Sequence, residues 1–361
     1  MVLRTGLATA AWAAALWTAS AGGAAAQVQA TDQRGEVLRL AAPPQRVVAI
    51  PIPSASMVVA VDGSPERLAG MHASAKAAMQ EAILGRIFPS ALAVPSDMVG
   101  QNFVPNVEQL LAVRPDLVIQ WGDRGPDIVR PIEAVGIPVA GLSYGTEDDA
   151  RAWLTIMGDL FGRQERAARL NAWRADTEAA IRSALDGVGR EERPKVLYFL
   201  RYLSDLRVAG PGTYNDFVID LAGGRNAARG IADFKTVNAE QIVAWDPDVI
   251  LLNSFEAELS PDDVYANPLL AGVTAVRERR VYKMPMGGYR WDPPNQESPL
   301  TWEWLAGLLH PDRIEGDLRA RMRDAYRVLY RHELAEAEID GILWTDDRNA
   351  GAAGYDRFRA R

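Results

Sequence analysis

The segment Met286-Gly287-Gly288-Tyr289-Arg290-Trp291-Asp292 sets two aromatic rings and a guanidinium on one short stretch. Rings offer stacking area and a guanidinium offers paired, charge-assisted donors. Tyr289, Arg290 and Trp291 therefore suit a flat, anionic, partly apolar ligand. The two glycines are expected to let the backbone turn sharply toward such a ligand. Related combinations recur at Trp121 with Arg124 and at Arg201 with Tyr202. Pro51 to Ser54, Ser143-Tyr144 and Ser254-Phe255 occupy similar places. Each follows an apolar run that reads as a strand, and in open parallel sheets ligands sit beyond the carboxyl ends of strands.

Two other chemistries are weighed on the same residues. Gly141-Leu142-Ser143-Tyr144-Gly145 matches G-x-S-x-G, so a secreted hydrolase would use Ser143 as nucleophile with His310 or His332 as base. Against it, the next helix starts only at Thr146-Glu147-Asp148, and no HGGG-type oxyanion loop precedes the serine. A bare transition-metal site is also disfavoured. The chain has no cysteine and only three histidines, His72, His310 and His332, far apart in sequence. No resident metal, no cofactor and no catalytic residue are expected. A small oxyanion such as molybdate or tungstate remains open, because arginines and strand-end N–H groups can hold one.

The elements that must position these residues show an internal repeat. Asn106-Val107-Glu108-Gln109-Leu110-Leu111-Ala112-Val113-Arg114-Pro115-Asp116 recurs as Asn238-Ala239-Glu240-Gln241-Ile242-Val243-Ala244-Trp245-Asp246-Pro247-Asp248. Asn caps a helix, the glutamate sits in its first turn at the positive end of the dipole, and the proline stops it. Leu110, Leu111 and Val113, like Ile242, Val243 and Trp245, are expected to bury one face. The apolar runs that follow, at 117–120 and 249–252, read as strands covered on both faces. Further strands are read at 46–50, 137–142, 195–200 and 280–284, with a hairpin at 31–40. Residues 164–187 carry apolar positions at helical spacing and make a rod of roughly 35 Å. The fold class is therefore α/β, with two Rossmann-like lobes of parallel sheet bridged by a single long helix. The expected lobes are 27–146 and 190–312, with linker helices at 147–189. A C-terminal helix is expected within 313–345 and a mobile tail over 346–361.

Arg4, the uncharged apolar run Leu7 to Leu16, and Ala24-Ala25-Ala26 before Gln27 form the pattern of a secretory signal peptide over residues 1–26. A periplasmic protein released by cleavage is expected. Its lack of cysteine excludes a lipidated cysteine anchor and a disulfide framework. A net charge of -8 argues against nucleic acid as a partner. A monomer is expected.

Asp32 to Gly35, the leading Pro43-Pro44-Gln45-Arg46-Val47-Val48, both Asn-x-Glu…Pro-Asp segments, Gly136-Ile137-Pro138-Val139 and Ser298-Pro299 together resemble one family. It comprises the periplasmic substrate-binding proteins of ferric-siderophore, haem and cobalamin ABC importers. The resemblance spans about residues 31 to 340. It implies two α/β lobes with the ligand between them, delivered to an inner-membrane permease and its ATPase. It also implies that Glu108 and Glu240 dock permease arginines. Phe234, followed by Lys235, falls where the cobalamin receptor has a ligand-stacking tryptophan, whereas its counterpart in the first lobe is Asn102. The expected function is capture of an iron-siderophore-type metal chelate, with metal oxyanions and haem or corrinoids as alternatives.

Overall fold

The computed structural model describes residues 27–360, so the signal peptide expected over residues 1–26 lies outside the described residues. Strands β1 (Val28–Thr31) and β2 (Val37–Leu40) form an antiparallel hairpin. The first lobe follows with β3 (Val47–Ala49), β4 (Leu68–Met71), β5 (Leu117–Trp121) and β6 (Val139–Leu142). These pair in the order β4-β3-β5-β6, all parallel, and every residue in them is buried. Their continuous apolar character is what a sheet covered on both faces requires.

The second lobe holds β7 (Lys195–Arg201), β8 (Arg207–Ala209), β9 (Arg225–Asn226), β10 (Phe234–Thr236), β11 (Val249–Leu252) and β12 (Val281–Lys283). Its order is β10-β8-β7-β11-β12, with β9 on the start of β7. Here the expectation of a purely parallel sheet is corrected. β8 runs antiparallel to β7, and β10 antiparallel to β8. Only residues 202–206 join β7 to β8, far too few for the crossover a parallel pair needs.

Both repeat helices, Val107–Val113 and Ala239–Trp245, form where expected. The Asn106 and Asn238 side chains accept from the Gln109 and Gln241 amides at 3.3 and 2.8 Å. Each helix ends in a left-handed residue, Arg114 at φ 45° and Asp246 at φ 44°, directly before its proline. Leu110 and Ile242 are fully buried, but Leu111 and Val243 are 48% and 44% exposed, which corrects their assignment to the buried face. One residue further along a helix lies about 100° around its axis, past the edge of a narrow buried stripe.

Helices Glu147–Phe161 and Gln164–Ala184 connect the lobes. The second is about 32 Å long at 1.5 Å per residue, and buries Ala167, Leu170, Thr177 and Ile181. It packs along the tryptophan-rich helix Ser298–Leu309, and one apolar core runs from the first lobe's strands to Trp291, Trp302 and Trp304. The C-terminal helix is two helices, Leu318–Tyr330 and Glu336–Leu343, broken at left-handed Arg331. It packs against Ser54–Asp62 of the first lobe as well as against Ser298–Leu309. The tail expected to be mobile is instead packed, with Asn349, Tyr355 and Phe358 buried. The Asn349 side-chain amide accepts from the Lys283 amide at 2.8 Å and donates to its carbonyl at 3.0 Å. It thereby satisfies the open edge of β12 as a neighbouring strand would.

Candidate functional site

Residues following the strands of the two sheets meet between the lobes. On the first lobe, Trp121 ends β5 and lies edge-on to Phe103 and Tyr144, each with centroids 5.6 Å away. The Arg124 guanidinium covers both the Trp121 ring, at 4.2 Å, and the Phe103 ring, at 4.7 Å. Asn102 and Phe103 both have left-handed backbones, at φ 54° and 63°. Such strain in non-glycine residues persists only where surrounding structure enforces it, and it concentrates at ligand clamps. Phe103 thus brings the first lobe a ring beside the position where only Asn102 was anticipated.

On the second lobe, Phe255 follows β11 and carries two guanidiniums, Arg201 at 5.0 Å and Arg290 at 5.2 Å. Arg201 hydrogen-bonds only its neighbour's carbonyl, Leu200 O, at 2.7 Å among the described residues. Arg290 donates to Glu81 of the first lobe at 2.6 Å and to the Ser254 carbonyl at 3.3 Å. Asp292 is buried and accepts from the Ser254 amide and hydroxyl at 2.9 and 2.7 Å.

The walls feel each other's charge. Burial, then the neighbouring Tyr289, Tyr214 and Asp292 of the second lobe, push the Tyr144 hydroxyl well above its ordinary range. Burial and Asp292 do the same to Tyr198. Burial also lifts the Asp292 carboxyl and pulls the Lys283 ammonium, at the end of β12, down to about 8. One buried polar group here lacks a hydrogen-bond partner among the described residues, the Trp121 indole N–H. Buried donors without partners are rare in folded proteins and call for an occupant that supplies acceptors.

Several anticipated residues take other roles. Trp291 is fully buried in the core and donates its indole N–H to Glu297 at 2.7 Å, so its ring is not a stacking face in the cleft. Gly287 and Gly288 do lie in a bend, closed by the antiparallel bridge between Met286 and Arg290, but neither has a positive φ that would demand glycine. A side chain on Gly287 would lie 2.0 Å from the Glu297 carboxylate, and one on Gly288 2.5 Å from both that carboxylate and the Tyr330 hydroxyl. They are glycines because that buried carboxylate approaches their backbone, accepting from the Gly288 amide at 2.8 Å. Tyr202 is withdrawn too, lying edge-on to Phe199 in the smaller core and accepting from Asn267 at 3.1 Å. Tyr289 is buried beside Arg290. Phe234 and Lys235 lie on β10, two strands out from β7, the first half-buried and the second exposed. Glu108 and Glu240 are both exposed in the first turns of their helices.

The G-x-S-x-G match has a packing explanation. The β1–β2 hairpin docks on it, with Asp32 accepting from the Gly141 amide at 2.7 Å and Gln33 accepting from the Ser143 amide at 2.9 Å. The Arg34 side chain crosses Gly141 so closely that a Cβ there would lie 2.4 Å from it. His310 bonds Gly223 O, His332 bonds Glu338 and His72 accepts from the Ser74 amide, so all three are engaged away from Ser143.

A family model described as periplasmic binding protein matches residues 98–286, more than half of the chain. The chain belongs to the periplasmic binding protein family. A periplasmic solute binding protein from Veillonella parvula is 34% identical and superposes with a TM-score of 0.82, over 90% of this chain and 98% of that one. The molybdate-binding protein MolA of Haemophilus influenzae is 26% identical over 265 residues, 66% of this chain and 73% of its own. The Fe(3+) dicitrate-binding periplasmic protein FecB of Escherichia coli is 24% identical over 306 residues, 81% of this chain and 89% of its own. These relatives are binding proteins, and the family serves ABC importers by presenting small molecules to a permease.

Proposed function

We propose that this binding protein captures an anionic metal chelate of the ferric-carboxylate or siderophore type between its lobes and delivers it to an ABC permease. The observation that carries this reading is a pair of arginines, Arg124 on the first lobe and Arg201 on the second. Each is stacked on aromatic rings and neither is held by a carboxylate among the described residues. Stacked guanidiniums offer planar, charge-assisted donors to carboxylate or oxo groups. FecB, named for ferric dicitrate, supports the chelate. A second reading, a metal oxyanion such as molybdate, is favoured by the unpartnered buried Trp121 indole N–H, which suits a compact acceptor, and by the likeness to MolA. A haem or corrinoid is less well supported, since the Trp291 ring is unavailable for stacking.

Titrating Trp fluorescence with ferric dicitrate, molybdate, haemin and cobalamin tests the proposal. Saturable binding of ferric dicitrate or molybdate, weakening as salt rises, is expected. Binding of cobalamin alone would overturn it.

The proposed docking face rests on the repeat. Glu108 and Leu111 share a helix face three residues apart, as do Glu240 and Val243, and all four side chains are exposed. An exposed carboxylate beside an exposed apolar side chain gives a partner's arginine both a counter-charge and a surface to pack on. Charge reversal at Glu108 or Glu240 should cut ATP-driven uptake about tenfold or more while leaving affinity for the soluble ligand unchanged. An equal loss of ligand affinity would place these glutamates in the cleft.

A further inference from the structure

We propose that Glu81 is a built-in competitor for the ligand, its carboxylate occupying Arg290 across the cleft until a more highly charged anion displaces it. This rests on the cleft being an anion site. Glu81 is the last residue of helix Ala73–Glu81, where the helix dipole disfavours a carboxylate, so local structure does not account for its placement. Its partner does, since its carboxylate lies 2.6 Å from the Arg290 guanidinium of the opposite lobe.

The pair is lopsided. The Arg290 side chain is 8% exposed, seated on Phe255 and bonded to the Ser254 carbonyl, whereas that of Glu81 is 42% exposed. A buried guanidinium stays paired because the cost of leaving it alone is high, but an exposed carboxylate swings into water cheaply. Glu81 is therefore the member that leaves, and only when another anion takes its place. Beside it the Ile83 amide donates to Gly287 O at 3.2 Å, so release of Glu81 loosens one seam between the lobes.

Charge selection follows. Among the described residues, with Glu81 in place, Arg124 and Arg201 have no carboxylate partner, and displacement frees the Arg290 guanidinium as well. Ligands carrying two or more negative charges gain from this exchange, whereas a monoanion only replaces the single charge it displaces. Molybdate and ferric dicitrate share that chemistry.

The experiment compares wild type, Glu81→Gln, Arg290→Ala and the double variant. Each is titrated separately with molybdate and with ferric dicitrate, and ligand-free amide exchange is followed at Ile83. Glu81→Gln should bind whichever probe wild type prefers about five- to tenfold more tightly, because no internal anion competes. Arg290→Ala should erase that gain, the double variant matching it, and Ile83 should exchange faster in Glu81→Gln. Binding by Glu81→Gln that is equal to or weaker than wild type overturns the competitor role. If Ile83 responds as expected but no variant binds either probe, the seam is real. The anion reading then fails and the competitor falls with it.

Discussion

Replacing Arg174 with leucine should cost about 3 to 5 kcal/mol of folding stability, because it strands a buried carboxylate. Arg174 sits midway along the bridging helix and is 1% exposed. Its guanidinium grips both oxygens of Glu147, at 2.7 and 2.5 Å, donates to the Asn295 carbonyl at 2.7 Å and lies 5.3 Å from the Trp302 ring. One side chain thus ties together the two connecting helices, the loop after Asp292 and the tryptophan-rich helix. Burial lowers its proton affinity, but Glu147 more than compensates, so the arginine stays charged in the folded state. A domain's total stability is about 5 to 15 kcal/mol, so the loss is a large fraction. Urea unfolding should show a lower midpoint at unchanged slope. Arg151, 2.9 Å from Glu147 but partly exposed, can compensate only in part. The double variant Arg174→Leu/Glu147→Leu should recover most of the loss, since apolar replacement of a whole buried pair is often neutral. A single-variant cost below about 1 kcal/mol would mean that water reaches the pair and the bridge does not depend on it.

The parts of the fold that were legible in the sequence are those whose cause is local. An asparagine cap, a first-turn glutamate and a stopping proline lie within one segment, so both repeat helices and the strands after them could be read directly. The bridging helix was legible because its buried positions recur along a single element. The cleft was legible only in outline. Strand ends pointed to Trp121, Arg124 and Tyr144, which the structure groups on the first lobe, and to Arg201, Phe255 and Arg290, which it groups on the second, with Arg290 reaching Glu81 of the first. Sequence could not separate Trp291 from them, because adjacent aromatics look alike until packing decides which faces the core. The reason for Gly287-Gly288 lies in Glu297, Tyr326 and Tyr330, on elements that follow in the chain. Phe103 was missed because its left-handed backbone leaves no periodic trace. Tyr198 did leave a signal, a hydroxyl-bearing ring inside an otherwise apolar strand. Glu81 left one too, an acidic residue at the wrong end of a helix. The antiparallel β8 and the packed tail were missed for a different reason. Their pairing partners, β7 and Lys283, are set by connection length and side-chain amides rather than by apolar patterning.

Arg201→Ala should lower affinity for the bound anion by about 2 to 4 kcal/mol, roughly thirty- to a thousandfold. Arg201 is the stronger choice because it is half-buried, stacked on Phe255 and without a carboxylate partner, so the ligand would be its first full counter-charge. Arg124 is exposed before binding and shares its field with water, so Arg124→Ala should cost less, about 1 to 2 kcal/mol. Their losses should not add, because the proposal has both arginines contact one ligand. Arg201→Lys separates charge from shape. An ammonium keeps the attraction but loses the planar stack and the paired donors, so recovery should be partial. Trp121→Phe removes one donor while keeping a ring, at a cost of about 1 kcal/mol. The measurement is the fluorescence titration with the preferred probe, at low and at physiological salt. If Arg124→Ala and Arg201→Ala both bind that probe as tightly as wild type, the paired arginines are part of the scaffold. The ligand site must then lie outside these two walls.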